Sequence, residues 1–298
     1  MILPAQALPR WGRNAPVTLL YLAALAVVGV VLSSMGTRWQ SVVVAAASTN
    51  VQNLSKLHLS TLASSAFVIN DGPVWFTCVG VGCTLAVAEL VWGGRRMVST
   101  FVTGHVGATL LVAAGLWVGI GSGWFPMSWG RASDVGVSYG VFTVLTALSF
   151  ALPRGWRLPW AVVWLTLALQ AVLIEHSFTS VGHCIAGVVG LAMGWWTLHR
   201  IPGRQRATIT RPLPLPLLGG AALFGLCIIG WDSPGWWSAP VVAAVTALAC
   251  AIRPVQGSLP HLSCGPRLPD ASPAEPAASV AGAAPVPTRR LALASRRQ

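Results

Sequence analysis

The chain has 298 residues, 54% of them hydrophobic and 9% charged, with a mean hydropathy of +0.68. A water-soluble globule of this size needs about a quarter of its residues charged to cover its surface, so this composition excludes one and requires a polytopic membrane protein. The net charge of +12 comes from arginines in twos to fours between apolar segments rather than from one dense basic run, which sets nucleic-acid binding aside and reads as topology signals.

A spanning helix needs about 20 mostly apolar residues. Taken in chain order, the apolar segments predict spans at 17–36, 73–92, 97–119, 137–152, 159–175, 181–199, 214–231 and 237–252. The expected fold is therefore an all-α, polytopic transmembrane helical bundle. Residues 1–16 form a cytoplasmic N-terminal segment, 17–200 a six-span core and 201–252 two additional transmembrane helices. Residues 253–298, rich in Pro, Ala and Arg without periodicity, form a disordered cytoplasmic tail. Arg10 and Arg13 precede the first span and no small-residue cleavage site follows it, so it reads as an uncleaved anchor.

The segment from about 37 to 72 places Leu54, Leu57, Leu59, Leu62 and Phe67 among serines and a histidine. That spacing suits a short helix lying on the membrane surface, and equally a solvated loop. In the second span Glu89 stands near the inner end, with Arg95 and Arg96 as candidate ion partners. The third span carries His105, and a polar residue at that depth is expensive enough to need a reason. It is expected to be hydrogen-bonded between helices, on the order of 10 Å from Ser138 in depth by the helical rise. Six cysteines lie scattered without metal-ligand spacing, and no metal or cofactor is expected. Tryptophans near span ends, Trp92, Trp124, Trp156, Trp160, Trp195 and Trp236 among them, read as interfacial anchors.

Orientation follows from the basic residues. With the N-terminus in the cytoplasm, sixteen Lys and Arg fall inside and three (Arg38, Lys56, Arg131) outside. The positive-inside rule thus puts both termini in the cytoplasm of a plasma-membrane protein.

Two short motifs then stand out. Asp134-Val135-Gly136-Val137-Ser138-Tyr139-Gly140 opens the fourth span, and Val181-Gly182-His183-Cys184-Ile185-Ala186-Gly187-Val188-Val189-Gly190 opens the sixth. Both spans run inward, so Ser138 and His183 each lie about one turn below the outer surface. Equal depth is what a nucleophile and its base require, because the imidazole must come within about 3 Å of the hydroxyl. Ala186, Gly190 and Gly194 follow His183 along one helix face, and Gly136 and Gly140 flank Ser138. Small faces let two helices approach closely. Asp134, one turn before Ser138, is placed to cap the fourth helix.

Gly-x-Ser opening one span, with His-x-x-small-x-x-x-Gly opening the span two further on, resembles the rhomboid intramembrane serine proteases, in a divergent, actinobacterial-type rhomboid-like group. The resemblance extends over residues 17–200 and includes the long outer loop and Glu89 before Arg95 and Arg96. It implies an intramembrane serine endopeptidase with Ser138 as nucleophile, His183 as general base and no cofactor. Phe142 would pack on the histidine, with Gly136, Ala186 and Gly190 supporting the site. The substrates it implies are transmembrane helices of other membrane proteins, cut near the outer face. Tyr139 stands where the family has Gly, and the span at 73–92 holds neither of the His and Asn residues that the family uses on the oxyanion; Asn70 only precedes it. A second reading therefore stays open: a rhomboid pseudoprotease that binds or chaperones membrane helices.

Overall fold

A computed structural model of the protein describes residues 14–69, 72–200, 215–230 and 238–251. Arg10, Arg13, Asn70, the arginines between 201 and 214, Trp236, Trp237 and the expected disordered tail lie outside the described residues. Within them the chain is helical, with no strand. In chain order the helices are α1 Pro16–Ser34, α2 Thr37–Ala47, α3 Val51–Ser55, α4 Thr61–Ser64, α5 Val74–Trp92 and α6 Gly94–Gly121. They continue with α7 Ser138–Ala147, α8 Arg154–Glu175, α9 Phe178–Arg200, α10 Leu215–Gly230 and α11 Ser238–Ala251. By length and composition α1, α5, α6, α8 and α9 can each cross a membrane, while Ser138–Ala151 and Leu215–Ile229 are shorter apolar helices. The chain is an integral membrane protein built as an all-α bundle.

The short helix α7 holds the centre. Every residue from Tyr139 to Ala147 is buried, and α5, α6, α8, α9 and α10 all pack against it. A helix that is apolar all round belongs inside. With its 3-10 continuation Leu148–Ala151 it reaches about 21 Å, less than the ~30 Å hydrocarbon core. It can be short because protein rather than lipid surrounds it. The outward residues of the flanking helices are apolar instead: Val27, Val30, Leu111, Trp117, Leu173 and Val188 are all exposed. That is the perimeter a bilayer demands.

Inside, hydroxyls need partners because no water supplies them. The Thr143 hydroxyl lies 2.8 Å from the Tyr139 carbonyl and 3.0 Å from the Ala186 carbonyl of α9. The Thr146 hydroxyl donates to the Phe142 carbonyl at 3.0 Å.

Glu89 does not do what its neighbours in sequence suggest. Its carboxylate turns away from Arg95 and Arg96 and accepts the N–H groups of Val17 (3.1 Å) and Thr18 (2.7 Å) and the Thr18 hydroxyl (2.6 Å). These are first-turn donors of α1, which the helix itself cannot satisfy, and a carboxylate there also meets the positive end of the helix dipole. The α5–α6 turn makes room for it at Gly94, where a side-chain carbon would crowd Val17 and the carboxylate. Gly93 adopts φ +83°, a conformation that disfavours side chains.

The tryptophans divide. Trp124, Trp156 and Trp195 are exposed as expected of anchors, but Trp92 is buried and the Trp160 N–H donates to the Leu145 carbonyl at 2.9 Å. Those two are packing residues.

The segment between α1 and α5 forms three short helices, α2 to α4. Leu57 and Leu59 are exposed and Leu54 and Leu62 half-buried, while Ser48, Thr49, Thr61, Ser65 and Ala66 are buried. Both kinds of residue enter the bundle: Val44, Ala47, Val68 and Ile69 are buried beside those hydroxyls, while Lys56, His58 and Ser60 stay exposed.

Candidate functional site

Ser138 is the first residue of α7 and half-buried. No side chain caps this end, and Val137 occupies the cap position. The first hydrogen bond of the helix runs from the Val141 N–H to the Val137 carbonyl, at 3.0 Å. The N–H groups of Ser138, Tyr139 and Gly140 therefore have no acceptor within the helix.

His183 lies on α9 and is buried. The Tyr139 and Phe142 rings of α7 hold its imidazole by edge contacts, with centroids at 5.3 Å and 79° and at 5.8 Å and 69°. Phe142, fully buried, thus packs on the histidine as the resemblance implies. The His183 Nε2 atom has no hydrogen-bond partner, so Ser138 and His183 are brought to adjacent helices without being joined. An unpaired buried ring nitrogen is costly enough to call for an explanation.

Glycines decide how close the two helices come. A side-chain carbon at Gly182 would overlap the Tyr139 ring, one at Gly190 would overlap both the Thr146 hydroxyl and the Thr143 carbonyl, and one at Gly194 would sit 2.6 Å from the Ala147 carbonyl. Ala186 is fully buried in the same interface and its carbonyl faces Thr143. Gly140 faces the other way and leaves room for Phe101 of α6. The small-residue face inferred from spacing is thus where α7 and α9 meet.

Tyr139 fills the space over Gly182, and its buried hydroxyl, with Asp134 and Thr179 nearby, makes no hydrogen bond. Asp134 does not cap α7. Burial pushes its carboxyl up to about 7, with the nearby Tyr139 hydroxyl acting in the opposite sense. The Asp134 backbone is held separately: its N–H donates to the Ser48 hydroxyl (2.7 Å) and its carbonyl accepts the Thr49 N–H (3.0 Å).

Gly136 completes this approach to Ser138. It adopts φ +125°, where a side chain would be strained, and its N–H donates to the Ser65 carbonyl at 2.9 Å. Ser65 in turn lies with its hydroxyl 3.1 Å from His105 Nε2 and accepts the Thr49 hydroxyl at 3.1 Å. His105 is buried and stacked near Phe101, centroids 6.1 Å apart. Its partner is thus a loop residue tied directly to the site, not a polar group of another spanning helix. The buried residues of the loop, Ser48, Thr49, Thr61, Ser65 and Ala66, bring that partner to it.

At the other edge, Ser177 caps α9 by accepting the Ser180 N–H at 3.1 Å, and the Ser180 hydroxyl donates to the Glu175 carboxylate. Ser48, Thr49, Ser65 and Ser180 carry no motif. In sequence they are ordinary serines and threonines of a polar loop or a helix start.

A protein-family model described as rhomboid-like protein matches residues 10–202. No curated protein and no solved structure matches the chain.

Proposed function

The chain belongs to the rhomboid-like family, and from that premise we propose that it is an intramembrane serine protease with Ser138 as nucleophile and His183 as base. The observation that carries this reading is the buried His183 Nε2, unpaired and packed on the helix that Ser138 opens. In the first step Ser138 Oγ attacks the carbonyl carbon of a peptide bond and its proton passes to Nε2. The C–N bond then breaks, Nε2 gives that proton to the leaving amine, and an acyl ester remains on Ser138. Water next attacks the ester, yields its proton to Nε2, and the proton returns to Ser138 Oγ as the acid departs. The free N–H groups at the start of α7 supply donors for the oxyanion, and the end of a helix adds its dipole there. They stand in for the His and Asn absent from α5.

The substrates are transmembrane helices of other membrane proteins. Cleavage falls near the outer face of the plasma membrane, because the basic residues orient both termini to the cytoplasm. A topology reporter fused at residue 130 checks that placement, and activity of a cytoplasmic reporter there overturns it. Chemistry is tested with a serine-directed fluorophosphonate on the purified protein. Adduct at Ser138, lost in Ser138→Ala and His183→Ala alike, supports the pair; adduct formation indifferent to His183→Ala refutes it.

One observation favours a second reading. The Tyr139 side chain fills the space beside His183 and the two catalytic groups are not joined. A pseudoprotease that binds membrane helices without cutting them fits that arrangement, and a cellular phenotype that survives Ser138→Ala would select it.

A further inference from the structure

We propose that His105 is a positioning residue for the site at Ser138, acting through Ser65 to fix the backbone that leads into α7. The inference rests on the protease reading for its chemical consequence, but the connection itself is geometric. Three backbone anchors hold residues 134–136, and all come from one strap, residues 48–65. Ser48 Oγ accepts the Asp134 N–H at 2.7 Å, Thr49 N–H donates to the Asp134 carbonyl at 3.0 Å, and the Ser65 carbonyl accepts the Gly136 N–H at 2.9 Å. The strap is locked on itself by the Thr49 and Ser65 hydroxyls at 3.1 Å.

What holds the strap in the bundle is then the deciding question. Besides the packing of α3 on α6 and of Ala66 and Ile69 in the core, two side-chain hydrogen bonds tie it to spanning helices. One is the Tyr21 hydroxyl, which donates to the Ala66 carbonyl at 2.6 Å. The other is His105. Ser65 Oγ already accepts the Thr49 proton, which leaves its own proton for the imidazole Nε2 3.1 Å away. Ser65 is 1% and His105 4% exposed, so water cannot substitute for either partner. His105 sits on α6, a long spanning helix packed tightly on α7 and α9. It therefore refers the strap, and through Gly136 the Ser138 backbone, to the rigid part of the bundle.

A groove beside this tie explains why the contact must be a specific one. His105, Phe101, Val102, Leu62, Ala63 and Ala66 are among the residues that line a cavity of about 370 Å³ where the loop meets α1, α5 and α6. Apolar filling does not pin the strap on that side, so the directional bond carries the register. A nucleophile displaced by about 1 Å can lose on the order of 100-fold in rate.

The experiment uses the full-length protein in nanodiscs, with three variants: Ser65→Ala, His105→Phe and the double variant, plus His105→Gln as the conservative replacement. Two quantities are read: the fluorophosphonate rate at Ser138, with the adduct site identified by mass spectrometry, and amide exchange of the 131–141 peptide. The expected result is a rate about 10- to 100-fold lower in each single variant and no further loss in the double, with His105→Gln recovering most of it. Exchange of the 131–141 peptide rises in step while the α9 peptides stay unchanged. Independent, multiplying losses in the two single variants would overturn the proposal, as would unchanged exchange at 131–141. Adduct on Ser65 in place of Ser138 would also overturn it, since the buried pair would then be the reacting one. If the wild-type protein takes no label at all, the protease reading fails alone, and the exchange measurement still decides the positioning role.

Discussion

The two sides of the Ser138 backbone are secured by different physics. On the α9 side the contact is steric: glycines at 182, 190 and 194 bring helix against helix until backbone and side chain touch. On the strap side directional contacts are added to apolar ones: hydrogen bonds at 134, 136 and 65 hold the segment, while Val135 and Val137 pack with Val68, Ala66 and Ile69 of the loop. A steric seam tolerates loss of a polar atom but not addition of a carbon. A hydrogen-bonded seam tolerates changes of shape but not loss of a partner.

That contrast can be broken at several points. The largest effect is expected at Gly190→Leu, because the new side chain meets the Thr143 backbone carbonyl, which cannot rotate away. A loss of about 3 kcal/mol or more follows from such overpacking, measured as reduced thermal stability in detergent; a melting point within experimental scatter of wild type would show that the seam can open. Glu89→Ala comes next. It strips the Val17 and Thr18 donors of their acceptor, at about 1.5–3 kcal/mol for a charge-assisted bond. Glu89→Gln should recover part of that, and if both variants match wild type the carboxylate is not what caps α1.

Thr143→Val sharpens the comparison from inside the steric seam. It keeps the shape and removes the bonds to the Tyr139 and Ala186 carbonyls. The expected cost is about 1 kcal/mol or less, so a loss as large as that of Gly190→Leu would erase the distinction between the two seams. A separate prediction, read as a slope with pH and not as the loss of a contact, concerns Asp134. Its folded-state pKa, raised from 3.8 to about 7 by burial, means that the folded protein holds this proton more tightly than the unfolded chain. The associated stability is fully present below pH 4 and is lost as the pH rises through about 7. The slope is on the order of 1 kcal/mol per pH unit at most. Asp134→Asn should flatten that part of the stability profile, and an unaltered slope would assign the proton elsewhere.

Much of the bundle is legible in the sequence because hydropathy is a local property. The helices begin and end within a few residues of the apolar segments, and the glycine spacing after His183 marks the face that meets α7. Phe142 against His183 is what the family resemblance implies, and the two rings do meet. Asp134, Glu89 and His105 were legible as residues that need partners, yet their partners were not. Each neighbour in sequence offered a plausible one, a helix end for Asp134 and two arginines for Glu89, and the structure uses neither.

The sequence by itself determined a membrane bundle, the close approach of two helices and the family to which the chain belongs. Tertiary structure alone decided that the loop after α1 buries Ser48, Thr49 and Ser65, and that it joins His105 to the backbone before Ser138. The reason is the range of the forces concerned. Burial of apolar surface repeats every few residues and leaves a period to be read. A hydrogen bond between Ser65 and His105, or between Ser48 and Asp134, links positions 40 and 86 residues apart and leaves no period in the chain at all.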